Sequence, residues 1–269
     1  MEIEYRELKT DQDFEQCIEI QKSVFGFSER ELVSPLFFKL IARDVPPIGS
    51  GMGVFRKNED SDELLGFILG FATYLESSIY VVLLAIRKEN QNGVFGYKLL
   101  FNYRELLLSK GINKLIGVYE PLEANLGRLY CHSLGYYGIK YMPDTTMSAF
   151  PSDKIYVIWE LSSNHVLNRI QRKVRTNPEE ALLNIPLVNR DFSLDNEQLL
   201  VEIPENYLEL KQHDPQKAFE WRTLTRNTFN KYINERNYII IDCIFSKTTT
   251  GKRYFYILEK SIKENEGSN

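Results

Sequence analysis

The alternation of apolar and polar positions divides the first part of the chain into strand-like and helix-like stretches. A period of two, or a short apolar run between turn residues, predicts strands at 3–8, 52–57, from 64, from 78, 114–119, around 136–141 and 154–161. Spacing of three to four predicts helices over 14–25, 35–41, 99–107 and 123–134. We therefore predict a mixed α/β domain over residues 1–162. The glycine-rich stretch at 46–53 is predicted to be a loop with Gly49, Gly51 and Gly53 as a flexible connection.

The rest of the chain is predicted to hold a connector and a smaller domain. Residues 163–194 are polar and irregular, which is typical of a connector. Residues 195–269 predict a strand, a short helix, a long helix over 215–235 and two further strands. This pattern indicates a small α+β domain that is too short to be very stable alone. We expect it to pack on the first domain or to mediate a homodimer.

Composition and charge exclude several classes of protein. The net charge is −4 and neither half is strongly basic, so we expect no nucleic-acid partner. The three cysteines are far apart and the three histidines lack ligand spacing, which argues against a disulfide framework and against a metal. The stretch MEIEYREL has no apolar signal sequence, and no apolar run approaches the ~18 residues of a membrane span. We expect a cytoplasmic protein without a membrane partner.

The segment ENQNGVFGYKLL, residues 89–100, is the most informative motif. A predicted strand leads into a turn with Gly93 and Gly96, and the turn opens an amphipathic helix. A helix N-terminus has about four unpaired N–H groups and a partial positive charge, so it can bind phosphate. The alternative is a plain strand-to-helix turn. The segment lacks the Gly-Lys-Ser/Thr of a Walker A loop and the spacing of a dinucleotide turn.

The element order and four motifs resemble the GNAT superfamily of acyl-CoA-dependent N-acyltransferases. The first motif is AIRKENQNGVFGYKLL, at the position of a Q/R-x-x-G-x-G/A pattern between strand and helix. The others are YEPLEA, FPSDKIYVIWEL and IPENYLELKQHDPQKAFEWRTLTRNTF, which resemble a branch of predicted acetyltransferases with an extra C-terminal α/β region. The resemblance implies a GNAT fold over 1–162, with acetyl-CoA or another acyl-CoA as co-substrate.

The resemblance also implies where CoA would bind. Backbone N–H groups of the turn would hold the pyrophosphate, and those of Leu84 and Ile86 would hold the pantetheine arm and polarise the acyl carbonyl. The implied turn residues are Gln91, Asn92, Gly93, Val94, Phe95, Gly96, Tyr97 and Lys98. Val94 stands where the family has its middle glycine, and its side chain restricts φ and narrows the approach.

The transfer needs a base for the amine and an acid for the leaving thiolate. In the superfamily a tyrosine four residues before a glycine often supplies the acid; Cys131 occupies that position here, and Tyr130 is next to it. The branch tends to carry a histidine where this chain has Val82. Glu120, at the end of the strand before YEPLEA, is the remaining candidate base. Its alternative role is that of a surface carboxylate before a proline.

The long C-terminal helix carries a second candidate site. Arg222 and Arg226 share a mostly apolar face and could hold a substrate carboxylate. They could equally form salt bridges with the chain's own acidic segments.

These observations favour N-acyltransfer to a small, amino-acid-like amine by direct attack. The competing hypothesis is a GNAT-like protein that binds CoA or another ligand without turnover, as Val82, Val94 and Cys131 suggest.

Overall fold

The computed structural model describes residues 2–42, 48–59, 61–91, 93–144, 152–189, 191–249 and 251–261. The chain folds into two compact units, Met1–Gly117 and Val118–Asn269. The division lies within a strand, whereas the sequence suggested a boundary at the 163–194 connector. In α/β proteins a boundary in a polar linker is the usual expectation.

The first unit contains five strands and three helices. The strands are β1 (Ile3–Glu7), β2 (Gly49–Arg56), β3 (Glu63–Ala72), β4 (Ser78–Ile86) and β5 (Lys114–Tyr119), whose last residues enter the second unit. The helices are α1 (Asp11–Phe25), α2 (Pro35–Ile41) and α3 (Phe95–Ser109), and a short 3₁₀ turn covers Lys88–Asn90. Neighbouring strands pair in chain order; the first three pairs are antiparallel and β4 is parallel to β5.

Local chemistry accounts for the start of α1. Thr10 caps the helix by accepting a hydrogen bond from the Asp13 amide, and the Asp13 carboxylate accepts one from the Thr10 amide. This capping box satisfies two otherwise unpaired amides. Arg6 donates two hydrogen bonds of 2.9 Å to Asp13, which ties the end of β1 to the helix. The apolar face of α1, which includes Phe14, then packs in a hydrophobic core with Phe38 and Phe67.

The prediction of a loop over 46–53 is wrong for the residues that the structure describes. Gly49 to Gly53 belong to β2 and are buried or nearly so. A Cβ at Gly49 would lie 2.4 Å from the Gly70 carbonyl oxygen, and one at Gly53 would lie 2.5 Å from the Phe55 ring. The glycines therefore allow close packing inside the sheet. Residues 46 and 47 lie outside the described residues.

The second unit contains strands β6 (Tyr137–Met142), β7 (Lys154–Glu160), β8 (Gln198–Ile203), β9 (Tyr238–Thr248) and β10 (Gly251–Lys260). Their order is β7-β6-β9-β10-β8, and the pairs β6–β7, β6–β9, β9–β10 and β8–β10 are antiparallel. Its helices are α4 (Ala124–Gly127), α5 (Asn164–Ile170), α6 (Pro178–Asn184), α7 (Tyr207–His213) and α8 (Pro215–Phe229). The mixed α/β class predicted from the sequence is confirmed.

The segment predicted to be an irregular connector contains α5 and α6. Ser163 caps α5 by accepting a hydrogen bond from the Val166 amide, and Asn177 caps α6 with Pro178 at its first position. Both helices have seven residues, so their periodicity is too brief to stand out from a polar background. The capping residues at their N-termini were the feature of the sequence that could have revealed these two helices.

Two π-helices extend regular helices of the second unit. Arg128–Leu134 follows α4, and Asn230–Glu235 follows α8. π-Helices are rare in proteins overall, but those that occur are often found at functional sites. Each is held by a side chain: His132 bonds to Asp242, and Asn234 bonds to both the amide and the carbonyl of Tyr141.

Candidate functional site

The first part of the candidate site is the carboxyl end of β4. The register between β3 and β4 shifts between Leu69 and Gly70, so Val82 is the extra residue of a β-bulge and is 37% exposed. The parallel pairing with β5 covers only Ser78 to Tyr80, although β4 continues to Ile86. The last residues of β4 therefore extend beyond the part of the strand that pairs with β5.

The direction of the β4 amides follows from its pairing with β3. The Arg87 amide donates to the Leu65 carbonyl at 2.8 Å, and Ala85 faces Phe67 two residues earlier in the same register. Because amides alternate between the two edges of a strand, those of Leu84 and Ile86 point away from β3. Both residues are partly buried. Their predicted role with pantetheine stays a prediction.

The turn after β4 is tied back to the strand. The Gln91 side-chain amide donates to the Ile86 carbonyl at 2.9 Å, and Arg87 Nε donates to the Leu64 carbonyl at 2.7 Å. The Gly93 amide bonds to the Asn90 carbonyl at 3.4 Å. The predicted contact residue Asn92 lies outside the described residues. These bonds place the turn directly against the end of β4.

The N-terminus of α3 presents unpaired amides. The first helical hydrogen bond runs from the Lys98 amide to the Val94 carbonyl at 2.9 Å, and no side chain caps the helix. Among the described residues, the amides of Phe95, Gly96 and Tyr97 have no partner. Such a terminus attracts anions, and the exposed Lys98 adds a positive charge.

Val94 fits its position without strain. Its φ is −84°, in the right-handed helical region, and neither Gly93 nor Gly96 has positive φ. The turn therefore needs no glycine for its conformation. The Val94 side chain is 59% exposed, and a Cβ at Gly96 would meet nothing within 4 Å. A side chain at position 96 would therefore extend into open space.

Glu120, the predicted base, is engaged on both oxygens. Arg222 Nη2 donates to Oε2 at 2.6 Å, and the Leu122 amide donates to Oε1 at 3.1 Å. The side chains of Glu120 and Arg222 are 13% and 3% exposed. To act as a base, Glu120 would have to give up an ion pair with a buried arginine, which is costly. The structure thus gives Glu120 the role of neutralising Arg222.

The predicted substrate-binding arginines form salt bridges within the chain. Arg226 Nη2 lies 2.5 Å from Asp153 Oδ1, and Arg222 Nη1 lies 3.3 Å from Asp153 Oδ2. Asp153 is fully buried and also accepts hydrogen bonds from the Tyr141 hydroxyl and the Asp144 amide. Of the two roles suggested by the sequence, the structure shows the internal salt bridges. Two carboxylates balance the two guanidinium charges, which leaves little attraction for a substrate carboxylate.

The π-helix changes the register of Tyr130 and Cys131. In an α-helix the Gly135 amide would bond to the carbonyl four residues earlier, which belongs to Cys131. In the π-helix it bonds to the carbonyl of Tyr130, five residues earlier. The extra residue in the turn therefore places Tyr130, instead of Cys131, one helical turn before Gly135.

Tyr130 and Cys131 differ in their surroundings. Cys131 is fully buried, its Sγ lies 3.7 Å from the Tyr119 hydroxyl, and burial raises its pKa to about 12. Tyr130 is partly exposed, and its ring packs between those of Tyr119 and Tyr136 with centroid distances of 5.2 and 5.0 Å. Burial raises the pKa of Tyr130 to about 12, so its hydroxyl stays protonated at neutral pH. Of the two, Tyr130 is the better placed proton donor.

Sequence reasoning missed a buried carboxylate on β9. Asp242 is fully buried; its Oδ1 accepts hydrogen bonds from His132 Nδ1 at 2.9 Å and from the Cys243 amide at 2.7 Å. Its Oδ2 lies 2.8 Å from Arg169 Nη1 and accepts a bond from the Thr176 hydroxyl. A single aspartate in the apolar run YIIIDCIF was the available signal.

The described residues hold no group of three or more His, Cys, Asp or Glu side chains arranged to bind a metal ion. None of the helices in the described ranges is long and apolar enough to cross a membrane.

Several solved structures are similar to part of this chain. The Escherichia coli ribosomal-protein-S18-alanine N-acetyltransferase is 16% identical, with 60% of this chain and 96% of that chain covered and a TM-score of 0.48. An acetyltransferase of the GNAT family from Streptococcus pneumoniae is 16% identical, with coverages of 58% and 98% and a TM-score of 0.48. The likeness of this chain to these structures concerns the fold alone. Aminoglycoside 6'-acetyltransferase type Ii is 14% identical, with coverages of 61% and 99% and a TM-score of 0.48. No protein-family model and no curated protein sequence matches the chain.

Proposed function

We propose that the chain is an acyl-CoA-dependent N-acyltransferase that moves an acetyl or larger acyl group from CoA to a small amine by direct attack. The junction of β4 and α3 is the observation that carries this proposal. There, three unpaired helix amides follow a strand end whose Leu84 and Ile86 amides point away from β3. The order of the four sequence motifs also supports it.

The residues at this junction fit the chemistry of CoA. The Phe95, Gly96 and Tyr97 amides and the Lys98 ammonium suit a pyrophosphate, and the lack of a Cβ at Gly96 leaves space for its oxygens. Extended backbone amides at Leu84 and Ile86 suit the polar groups of a pantetheine arm. When bound, acyl-CoA supplies an activated thioester.

Within this proposal Tyr130 donates the proton that the leaving thiolate needs. The phenol is protonated across the neutral range; burial raises its pKa to about 12, which makes it a weaker acid than an exposed tyrosine, so its position and not its pKa supports this role. Its position one π-turn before Gly135 matches the place where the family resemblance puts a tyrosine.

Binding of CoA is expected to raise the melting temperature by roughly 5–10 °C when CoA is present at about a hundred times its Kd. Gly96→Val is expected to abolish this shift because the new side chain fills the space that the pyrophosphate needs. The free variant should melt near the wild-type temperature, since a Cβ there meets nothing within 4 Å. Val94→Ala, two residues earlier in the same turn, is the matched control and should keep the shift. An undiminished shift in Gly96→Val would contradict the assignment of the turn.

Tyr130→Phe is expected to lower kcat by about a hundredfold, the usual contribution of a positioned acid. Cys131→Ser should change kcat far less, because the thiol is fully buried. Release of free thiol from acetyl-CoA with a panel of amino acids and polyamines measures both. The reverse order of effects would assign the acid to Cys131.

A second candidate function is a CoA-binding protein without turnover. The engagement of both Glu120 oxygens and the burial of Cys131 favour it. If CoA raises the melting temperature but no amine of the panel releases thiol from acetyl-CoA, the chain is the binding protein and the transferase function is excluded.

A further inference from the structure

Two lysines lie opposite each other near the turn that joins β9 to β10, within the second unit. Lys247 and Lys252 are direct partners in the register of the two strands, so their side chains leave the same face of the sheet. Both residues are exposed. Like charges at directly opposite strand positions destabilise a sheet. The fold therefore gains nothing from this pair by itself.

The ring of Phe245 brings a third cation to the same face. Phe245 is two residues before Lys247 on β9, and residues at that spacing share a face of a strand. The guanidinium carbon of Arg128, at the start of the first π-helix, lies 4.4 Å from the centroid of this ring, and Lys252 Nζ lies 5.4 Å from it. We call Arg128, Lys247 and Lys252 the hairpin cation cluster.

The protein supplies little negative charge to this cluster. Among the described residues, none of its three members forms an ion pair with a carboxylate. Arg253, the next residue after Lys252, does have such a partner, because it donates hydrogen bonds of 2.7 and 2.8 Å to Glu202. A carboxylate held beside the cluster is that of Glu205, whose Oε2 accepts a bond from the Lys252 amide at 3.1 Å. Three positive charges against this single negative charge leave a positive surplus.

The surplus charge and the small extent of the cluster fit one phosphate group. A phosphate ester carries about 1.5 to 2 negative charges at pH 7, whereas a carboxylate carries only one. Guanidinium and ammonium groups together supply the several N–H donors that phosphate oxygens accept. A long polyanion needs an extended basic track, which a chain with a net charge of −4 and a cluster around one ring does not offer.

We propose that the hairpin cation cluster binds the phosphate group of a small phosphate ester. All three cations belong to the second unit, whereas the turn before α3 that carries the proposed function belongs to the first. The bound phosphate lies between cations that repel one another, so it stabilises the folded state by its own contacts and by removing that repulsion. The site is thus independent of the CoA turn.

The test follows the melting temperature of the full chain at pH 7.5 while inorganic phosphate replaces chloride at constant ionic strength. The wild type should gain about 3–6 °C when phosphate reaches about ten times its Kd. Lys247→Gln/Lys252→Gln should weaken phosphate binding at least about tenfold and lose most of this gain. In chloride, Lys247→Gln alone should melt about 1–3 °C above the wild type, because it relieves the repulsion with Lys252.

Lys140→Gln is the matched control, since Lys140 is also an exposed strand lysine of the second unit. Its strand pairs with β9 at Ile240, seven residues or about 23 Å along β9 from Lys247. This control should keep the wild-type melting temperature in chloride and the full gain with phosphate. Gly96→Val should also keep the full gain, which excludes binding at the turn before α3 as its source.

The outcomes separate this site from the proposed function. Equal phosphate gains in the wild type and Lys247→Gln/Lys252→Gln would overturn the site. A gain that is lost in Gly96→Val instead would place the phosphate at the turn before α3 and overturn the site as well. A response to heparin without one to phosphate would assign the cluster to a polymer and contradict a small ester. The shift with CoA should stay unchanged in Lys247→Gln/Lys252→Gln, so either proposal can fail without the other.

Discussion

Replacing Asp153 by asparagine is expected to destabilise the protein by about 3–5 kcal/mol, the cost of breaking a buried ion pair from one side. Asp153 is fully buried and lies within 3.3 Å of two guanidinium groups. Burial alone would raise its pKa, but the hydrogen bonds from Arg226, Tyr141 and the Asp144 amide outweigh burial and lower it. The neutral amide leaves Arg222 with Glu120 alone and adds a donor that faces other donors.

Urea unfolding at pH 7 measures this effect as a decrease in the free energy of unfolding. Asp191→Asn is the matched control, because Asp191 is exposed and, among the described residues, its side chain bonds only to Ser193. The control should unfold at nearly the wild-type urea concentration. Equal unfolding midpoints for the two variants would show that the Asp153 cluster contributes little to stability.

Lowering the pH is expected to decrease the free energy of unfolding, because Asp242 becomes protonated. Burial favours the neutral form, but the hydrogen bond from His132, the charge of Arg169 and the Thr176 hydroxyl together lower the pKa of Asp242 to about 2. An unfolded aspartate has a pKa near 4, so the folded state binds its proton less readily. The resulting stabilisation, about 2.5 kcal/mol, is present above pH ~4 and is lost as the pH falls from about 4 to about 2.

Asp242→Asn should remove this dependence and lower the stability at pH 7. The measurement is urea unfolding at intervals from pH 2 to 7 for wild type and variant. The difference between their free energies of unfolding should shrink as the pH approaches 2, since protonated aspartate resembles asparagine. Asp191→Asn serves again as the exposed control. A difference that stays constant over the whole range would assign the acid sensitivity to other carboxylates.

Local patterns were sufficient to predict most of the secondary structure. In the structure, Thr10 and Asp13, Ser34 and Pro35, and Gly111 and Gly135 lie at helix ends. These signals act over a few residues, through capping hydrogen bonds and positive φ, so they can be read without a tertiary structure. The short helices α5 and α6 and the glycines of β2 were missed. Seven residues give little periodicity, and a glycine needed for close strand packing looks like a glycine needed for a turn.

The candidate site was predicted in part. The turn from Gln91 to Lys98 was found because strand, glycine and helix follow one another in the chain. Cys131 stands at the position that the resemblance implies for the acid, and the π-helix places Tyr130 one turn before Gly135 instead. The sequence left the role of Glu120 open between a base and a surface carboxylate. The structure shows that it forms an ion pair with Arg222, which lies far away in the sequence.

The sequence by itself determined where the elements lie, which helix opens on an unpaired N-terminus, and which motifs resemble an acyltransferase. These properties depend on neighbours within about one or two turns. The tertiary structure determined which charged side chains of the site are paired with one another. Glu120 meets Arg222 across 102 residues of chain, Asp153 meets Arg226 across 73, and His132 meets Asp242 across 110. A charged side chain has no preferred partner along the sequence, so only folding shows which carboxylates are paired with which cations.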